Sequence, residues 1–296
     1  LGIVLAPLLG TFVGVARLSS NWLVAKLSSA YVEVMRNVPL LLQLFAWYVF
    51  LTELLPPVRQ AINLGDVVFL SQRGMSYAWP VAHPAFTYAG IGLVVGIVAF
   101  LVYRAYARKR QNQTGVQLPL FLPALGFLIG LPVLAWLAGG APTELDVPRL
   151  SGFGMRGGRT ISPEFTALLI GLTTYTAAFI AEVVRGGILA VDRGQTEAAQ
   201  ALGLSPGKTL RLVTLPQALR VIVPPMTSQY LNLTKNSSLA VAIGYPELVS
   251  VANTSMNQTG QAIEAIAILM AVYLAISLVI AIVMNIYNNR VRLVER

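Results

Sequence analysis

Two glutamate–arginine pairs stand out in a chain otherwise poor in charge: Glu33 with Arg36 and Glu182 with Arg185, each three residues apart in apolar surroundings. On a helix, residues three apart share a face, so each pair can close an ion pair. Charges placed this way anchor helices at a membrane boundary or meet at a gate, and both pairs are read as interface salt bridges or gate-region contacts rather than as direct ligands of a solute. Other reactive groups lack companions. The single His83 and the absence of cysteine leave no metal cluster and no thiol framework. Gly207-Lys208-Thr209 has the ending of a phosphate-binding loop, but Gly203 stands one residue too close and no apolar strand leads into it. No nucleotide site and no catalytic constellation are expected.

The elements that must position these residues are membrane helices. Apolar residues make up 56% of the chain and charged ones 11%, and apolar runs of about 20 residues recur, long enough to cross a bilayer core. An all-α polytopic membrane protein is expected. The net charge of +9 does not point to nucleic acid, because most basic residues flank apolar runs on one side, as the positive-inside bias requires.

Residues 1–16 read as the second half of a membrane helix in a truncated record, with Gly10 and Gly14 spaced for close packing. A polar link, Arg17 to Lys26, follows. Spans are expected over 30–54, 85–103 (stopping at Arg104, Arg108, Lys109 and Arg110), 118–137, 164–190 and 263–286, with extracytoplasmic loops over 55–84 and 139–163. Pro224-Pro225 should break or bend the helix that starts at Pro216. After Thr234 an irregular stretch begins at Lys235-Asn236-Ser237-Ser238-Leu239, and non-helical backbone at membrane depth belongs where protein buries it or a water-filled path runs. The alternative is that Lys235 snorkels to the outer interface while the serines cap the next helix. Arg290, Arg292 and Arg296 place the C-terminus in the cytoplasm.

One polar interruption is the most specific feature. Residues 195–202 favour helix, with Ala198, Ala199 and Ala201 giving a low-relief face; Gly203 ends it, and Ser205-Pro206 starts a second short helix carrying Lys208 and Arg211. Glu197-Ala198-Ala199, three residues, Gly203, nine residues, then Val213, Thr214, Leu215 and Pro216 resembles the EAA loop of bacterial ABC importer permeases, with valine where that pattern has isoleucine. The segment from Tyr31 to Gln43, Tyr-Val-Glu-Val-Met-Arg-Asn-Val-Pro-Leu-Leu-Leu-Gln, is similar to one in the amino-acid permeases of that family.

This resemblance implies the type I ABC importer transmembrane fold, divided as a core part over 1–54, an insertion with two extra helices over 55–163, and a second core part over 164–296 holding the coupling loop 195–216. The long insertion resembles the general L-amino-acid branch more than the small polar amino-acid permeases. The implied partners are ABC ATPase subunits that bind ATP and Mg, a second and similar permease subunit, a periplasmic amino-acid-binding protein, the amino-acid substrate and inner-membrane lipid; no cofactor belongs to this chain. Glu197, Ala198, Ala199, Gly203, Leu215 and Pro216 would couple to the ATPase. A zwitterion needs donors for its carboxylate and acceptors for its ammonium group. Gln43, Asn232, Lys235, Asn236 and Ser237 could supply donors, backbone carbonyls or the Gln43 and Asn232 oxygens could supply acceptors, and Tyr175 could face the substrate side chain. A cationic or opine-like solute stays open. An ion-driven transporter would rest on intramembrane carboxylates, of which Glu182 alone lies well inside a span.

Overall fold

The computed structural model describes residues 1–152 and 154–291 and is mostly helical. In chain order the helices are α1 (Gly2–Ala16), α2 (Trp22–Asn37), α3 (Leu40–Val49) with a π turn over Phe50–Leu54, α4 (Pro84–Thr114), α5 (Phe121–Leu125) and α6 (Leu131–Ala138) joined by a π turn over Gly126–Gly130, and α7 (Pro163–Leu189). Then come α8 (Arg193–Ala201), α9 (Pro206–Thr209), a π turn over Leu210–Thr214, α10 (Leu215–Asn236), a 3-10 helix over Ser237–Ile243, α11 (Leu248–Thr259) and α12 (Ala262–Val291). Among the described residues, four helical stretches are long and apolar enough to span a bilayer: Pro84–Thr114, Phe121–Ala138, Pro163–Leu189 and Ala262–Asn289.

Several expectations are corrected. The single span over 30–54 is two helices, α2 and α3, bent by 105° at Val38-Pro39. Proline drives the preceding residue out of helical conformation, and Val38 is extended at φ −95°, ψ 129°. All-α becomes mostly helical, because the loops contain short strands: Trp79–Pro80 pairs antiparallel with Leu145–Asp146, and Arg149–Ser151 with Gly154–Arg156. These stretches are too rich in glycine, proline and polar groups to stay helical, and their backbone groups find partners across strands instead. Nor does Pro224-Pro225 end a helix, since α10 is continuous through both prolines. The basic cluster Arg104, Arg108, Lys109 and Arg110 is carried on α4 itself, which runs on to Thr114. Arg292 and Arg296 lie outside the described residues.

The chain forms two compact units, one of residues 1–61, 70–75 and 161–296, the other of 62–69 and 76–160. In the first, α7 is the central helix, with α1, α2, α3 and α10 packed on it. It can be central because its faces are small: Gly171, Ala177, Ala178, Ala181 and Gly187 are buried and let neighbouring backbones approach. Gly10 and Gly14 of α1 do the same from the other side, as a Cβ on Gly10 would meet Ile180 Cβ at 2.7 Å and one on Gly14 the Ala181 carbonyl at 2.7 Å. Ala6, Ile180, Val184, Ala218, Ile222, Met226 and Leu233 form one apolar cluster, and Leu40, Leu44, Ala167, Leu168, Leu172, Ala240 and Ile243 another. The apolar window of α12 is wholly unburied, which suits a helix facing lipid.

In the second unit α4 packs along α6 and the π turn over Gly126–Gly130, and a Cβ on Gly92 would meet the Leu131 carbonyl at 3.1 Å. His83 is the N-cap of α4, its Nδ1 accepting from the Ala85 N–H at 3.2 Å.

Candidate functional site

The loop between α7 and α10 is built from local signals. Asp192 caps α8 by accepting from the Gly194 N–H at 2.7 Å. At the other end Gly203 takes φ +81°, its N–H donates to the Gln200 carbonyl at 2.9 Å, and the Leu204 N–H donates to the Ala199 carbonyl at 3.1 Å. That pair of bonds is the Schellman arrangement, and glycine adopts its left-handed residue without a Cβ clash. Ser205 stands at the N-cap position of α9 without a side-chain cap bond. From α9 the chain passes through the π turn into α10 with no break in helical conformation, so Leu215 and Pro216 open a long helix rather than close a loop. Glu197 and Ala198 are exposed, Ala199 is buried against the unit, and Leu202 is 83% exposed. The sequence reading missed Leu202; its signal was an apolar residue just before the terminating glycine of a polar loop.

The two glutamate–arginine pairs do not form in the same way. Glu182 and Arg185 pair at 2.6 Å along α7. Glu33 instead accepts from the Asn37 amide at 3.4 Å, and Arg36 turns to Glu182, with its Nη1 at 3.6 Å from Oε2. The expected Glu33–Arg36 pair is thus replaced by a contact between helices, because α2 lies against α7 and brings Arg36 to a carboxylate that its own helix cannot match. Arg17, just past the end of α1, is the third cation on Glu182 and donates to Oε2. Its Nε also donates to Ser29 Oγ at 3.3 Å. One carboxylate therefore ties together α1, α2 and α7. The sequence reading had assigned Arg17 only to a charged link.

The remaining polar residues fall in two places. Gln43 is buried, and its side-chain N–H groups donate to the carbonyls of Met35 and Val38, both at 2.9 Å. These are carbonyls that α2 orphans at its C-terminus, so the amide holds the 105° bend together. Its Oε1 is buried with no partner among the described residues. Tyr175 sits half-buried on α7, its ring tilted at 52° against that of Phe179 one turn along the same face, with centroids 4.9 Å apart. It packs on the same apolar cluster as Leu239. Asn232 and Lys235 are exposed at the far end of α10, and Asn236 is half-buried there. Ser237 and Ser238 open the 3-10 helix rather than an irregular stretch, and each hydroxyl donates at 2.7 Å to a carbonyl of the preceding turn, of Thr234 and Lys235 respectively. The serines do not cap the next helix, because Glu247 holds that position at α11. Among the described residues no hydrogen bond joins Asn232 or Lys235 to Gln43 or Tyr175.

The sequence pattern of one family, described as the binding-protein-dependent transport system inner membrane component, matches residues 113–293. The chain belongs to this family. Such a permease component is a transport subunit of a multi-pass inner-membrane system and not a catalytic chain, and dependence on a binding protein implies a soluble receptor and an ATPase as partners. The General L-amino acid transport system permease protein AapQ of Rhizobium johnstonii is 47% identical over 295 residues, covering 100% of this chain and 74% of that protein. The Putative amino-acid ABC transporter permease protein YhdX of Escherichia coli (strain K12) is 51% identical, covering 99% and 75%. A solved structure described as an amino acid ABC transporter with histidines shares the permease fold at a TM-score of 0.54 and 20% identity, covering 98% of this chain and 86% of that one.

Proposed function

We propose that this permease component carries L-amino acids inward, working with a second, similar permease subunit, two ATPase subunits and a periplasmic amino-acid-binding protein. The broad-specificity branch fits best. Support comes from the amino-acid names of the relatives, from the Tyr31–Gln43 segment, and from the insertion with two extra spans in α4 to α6. The proposed architecture is the type I importer fold with core parts 1–54 and 164–296 flanking the insertion 55–163. We place loop 195–216 and the C-terminus in the cytoplasm on the distribution of basic residues.

One observation carries the mechanism. The loop with exposed Glu197, Ala198 and Gly203 and buried Ala199 leads into α9, from which unbroken helix continues into the 22-residue α10, with Asn232, Lys235 and Asn236 at its other end and Ser237 just past it. At 1.5 Å per residue that helix spans about 33 Å, roughly a bilayer core, so movement imposed on the loop reaches the proposed substrate path as a rigid-body shift. ATP and Mg stay on the partner; this chain converts the partner's motion into access for solute.

The test is ATP-dependent uptake of labelled amino acids into vesicles holding the co-expressed complex, comparing wild type with Gly203→Asp. Loss of uptake with the complex still assembled supports coupling through this loop. Uptake without ATP, or indifference to Gly203, points to an ion-driven transporter instead.

A further inference from the structure

We propose that Arg36 receives the α-carboxylate of the amino acid in transit, exchanging it for its weak hold on Glu182; the inference rests on the amino-acid permease reading above. The geometry begins on α7, where Tyr175, Phe179 and Glu182 follow one another at spacings of four and three residues and so share a helix face. The Tyr175 ring packs tilted against Phe179 with centroids 4.9 Å apart, the Arg36 guanidinium lies over the Phe179 ring at 5.4 Å from its centroid, and the same guanidinium stands 3.6 Å from Glu182. Arg36 therefore bridges the aromatic pair and the carboxylate.

Charge decides what Arg36 is for. Three arginines converge on the one carboxylate of Glu182. Arg185 takes Oε1 at 2.6 Å and Arg17 takes Oε2, while Arg36 reaches only the outer edge of Oε2. The Arg17 side chain is 10% exposed, that of Arg36 37%. Arg17 is the structural cation and Arg36 the surplus, accessible one. With Glu182 no nearer than 3.6 Å, the Arg36 guanidinium keeps N–H donors for a visiting anion. Arginine presents a planar fork that matches a carboxylate and tolerates an aromatic face beneath it.

The substrate class supplies such an anion. A permease for amino acids of many kinds cannot read the side chain closely, but every substrate brings the same α-carboxylate. The other donors expected for that group are partly committed elsewhere: both Gln43 N–H contacts go to α2 carbonyls, and the Ser237 hydroxyl donates to Thr234. Tyr175 and Phe179 then offer a sequence-tolerant apolar surface beside the fixed cation.

The chain contains no cysteine, so Tyr175→Cys introduces a single thiol one turn from Phe179 on the surface that Arg36 covers, and leaves Arg36 in place. In the purified complex, modification of that thiol by a charged thiosulfonate reagent is timed without solute, with excess L-glutamine, and with excess L-glutamine amide, which lacks the carboxylate. Slowing by the acid and not by the amide is the expected result. Equal slowing by both, or by neither, overturns the proposal, and slowing by anionic lipid alone assigns Arg36 to a headgroup instead. Uptake gives a second measurement: Arg36→Gln should lower turnover at saturating loaded receptor about ten-fold, as expected for one charge-assisted contact, with Arg36→Lys recovering most of it. Wild-type turnover in an assembled Arg36→Gln complex also overturns it. If wild-type vesicles themselves fail to take up amino acids with ATP, the permease reading has failed and not merely the role of Arg36.

Discussion

Gly10 of α1 lies so close to Ile180 of α7 that a Cβ added at Gly10 would stand 2.7 Å from the Ile180 Cβ. The contact has no slack, because the Ala177 carbonyl lies 2.8 Å from the same point. Gly10→Leu should therefore push α1 off α7 and lower stability by about 1–3 kcal/mol, the usual range for overpacking. Gly186→Ala is the control, since a Cβ there meets nothing within 4 Å. Thermal unfolding of the detergent-purified complex should show a clear drop for the first and none for the second.

Arg17 and Arg36 share Glu182 but differ in exposure, so they should differ in what they stabilise. Arg17→Gln leaves the Glu182 Oε2 side of the junction between α1 and α7 open and should cost about 1–3 kcal/mol, below the range for a fully buried pair. Arg36→Gln should cost less than about 1 kcal/mol, as for a solvent-exposed pair. Equal losses in a melting experiment would show that Arg17 and Arg36 act on Glu182 as one structural unit.

Gln43→Leu keeps the packing volume near Leu40 and Leu44 but removes the donors to Met35 and Val38. Losing these two hydrogen bonds should cost about 1–3 kcal/mol. If Gln43 only braces the bend, uptake per assembled complex stays at the wild-type level. If its unpaired Oε1 also meets the ammonium group, turnover falls further than the assembled fraction does.

Leu202→Asp should weaken the hold of the ATPase without affecting the chain itself, because Leu202 is 83% exposed and contributes little to the core. Co-purification of the ATPase should drop while the melting temperature stays unchanged. Gly203→Ala at φ +81° should instead cost about 1 kcal/mol through the left-handed backbone.

Features set by short-range pattern were legible in the sequence. The α8–Gly203–α9 turn follows from a helix-forming run, a terminating glycine and a serine–proline start, all within a few residues of one another. The spans of α4, α7 and α12 follow from apolar length. The bend at Val38-Pro39 was also locally encoded, yet the apolar run on both sides of it reads as one span, and the buried Gln43 amide braces the break. Pro224-Pro225 does not break its helix, because α10 stays continuous through two prolines.

By itself, then, the sequence determined the class of protein, most of its membrane helices and the shape of the α8–Gly203–α9 turn, since periodicity and spacing act over one or two helical turns. Which cations surround Glu182 was decided only by the tertiary structure. Glu182 and Arg185 are neighbours on one helix, but Arg17 reaches the same carboxylate across 165 residues. Arg36 arrives on a helix whose own glutamate turns away to Asn37. No local pattern specifies such a meeting; it depends on α1 and α2 closing on the small-residue faces of α7, and that packing brings the charges together.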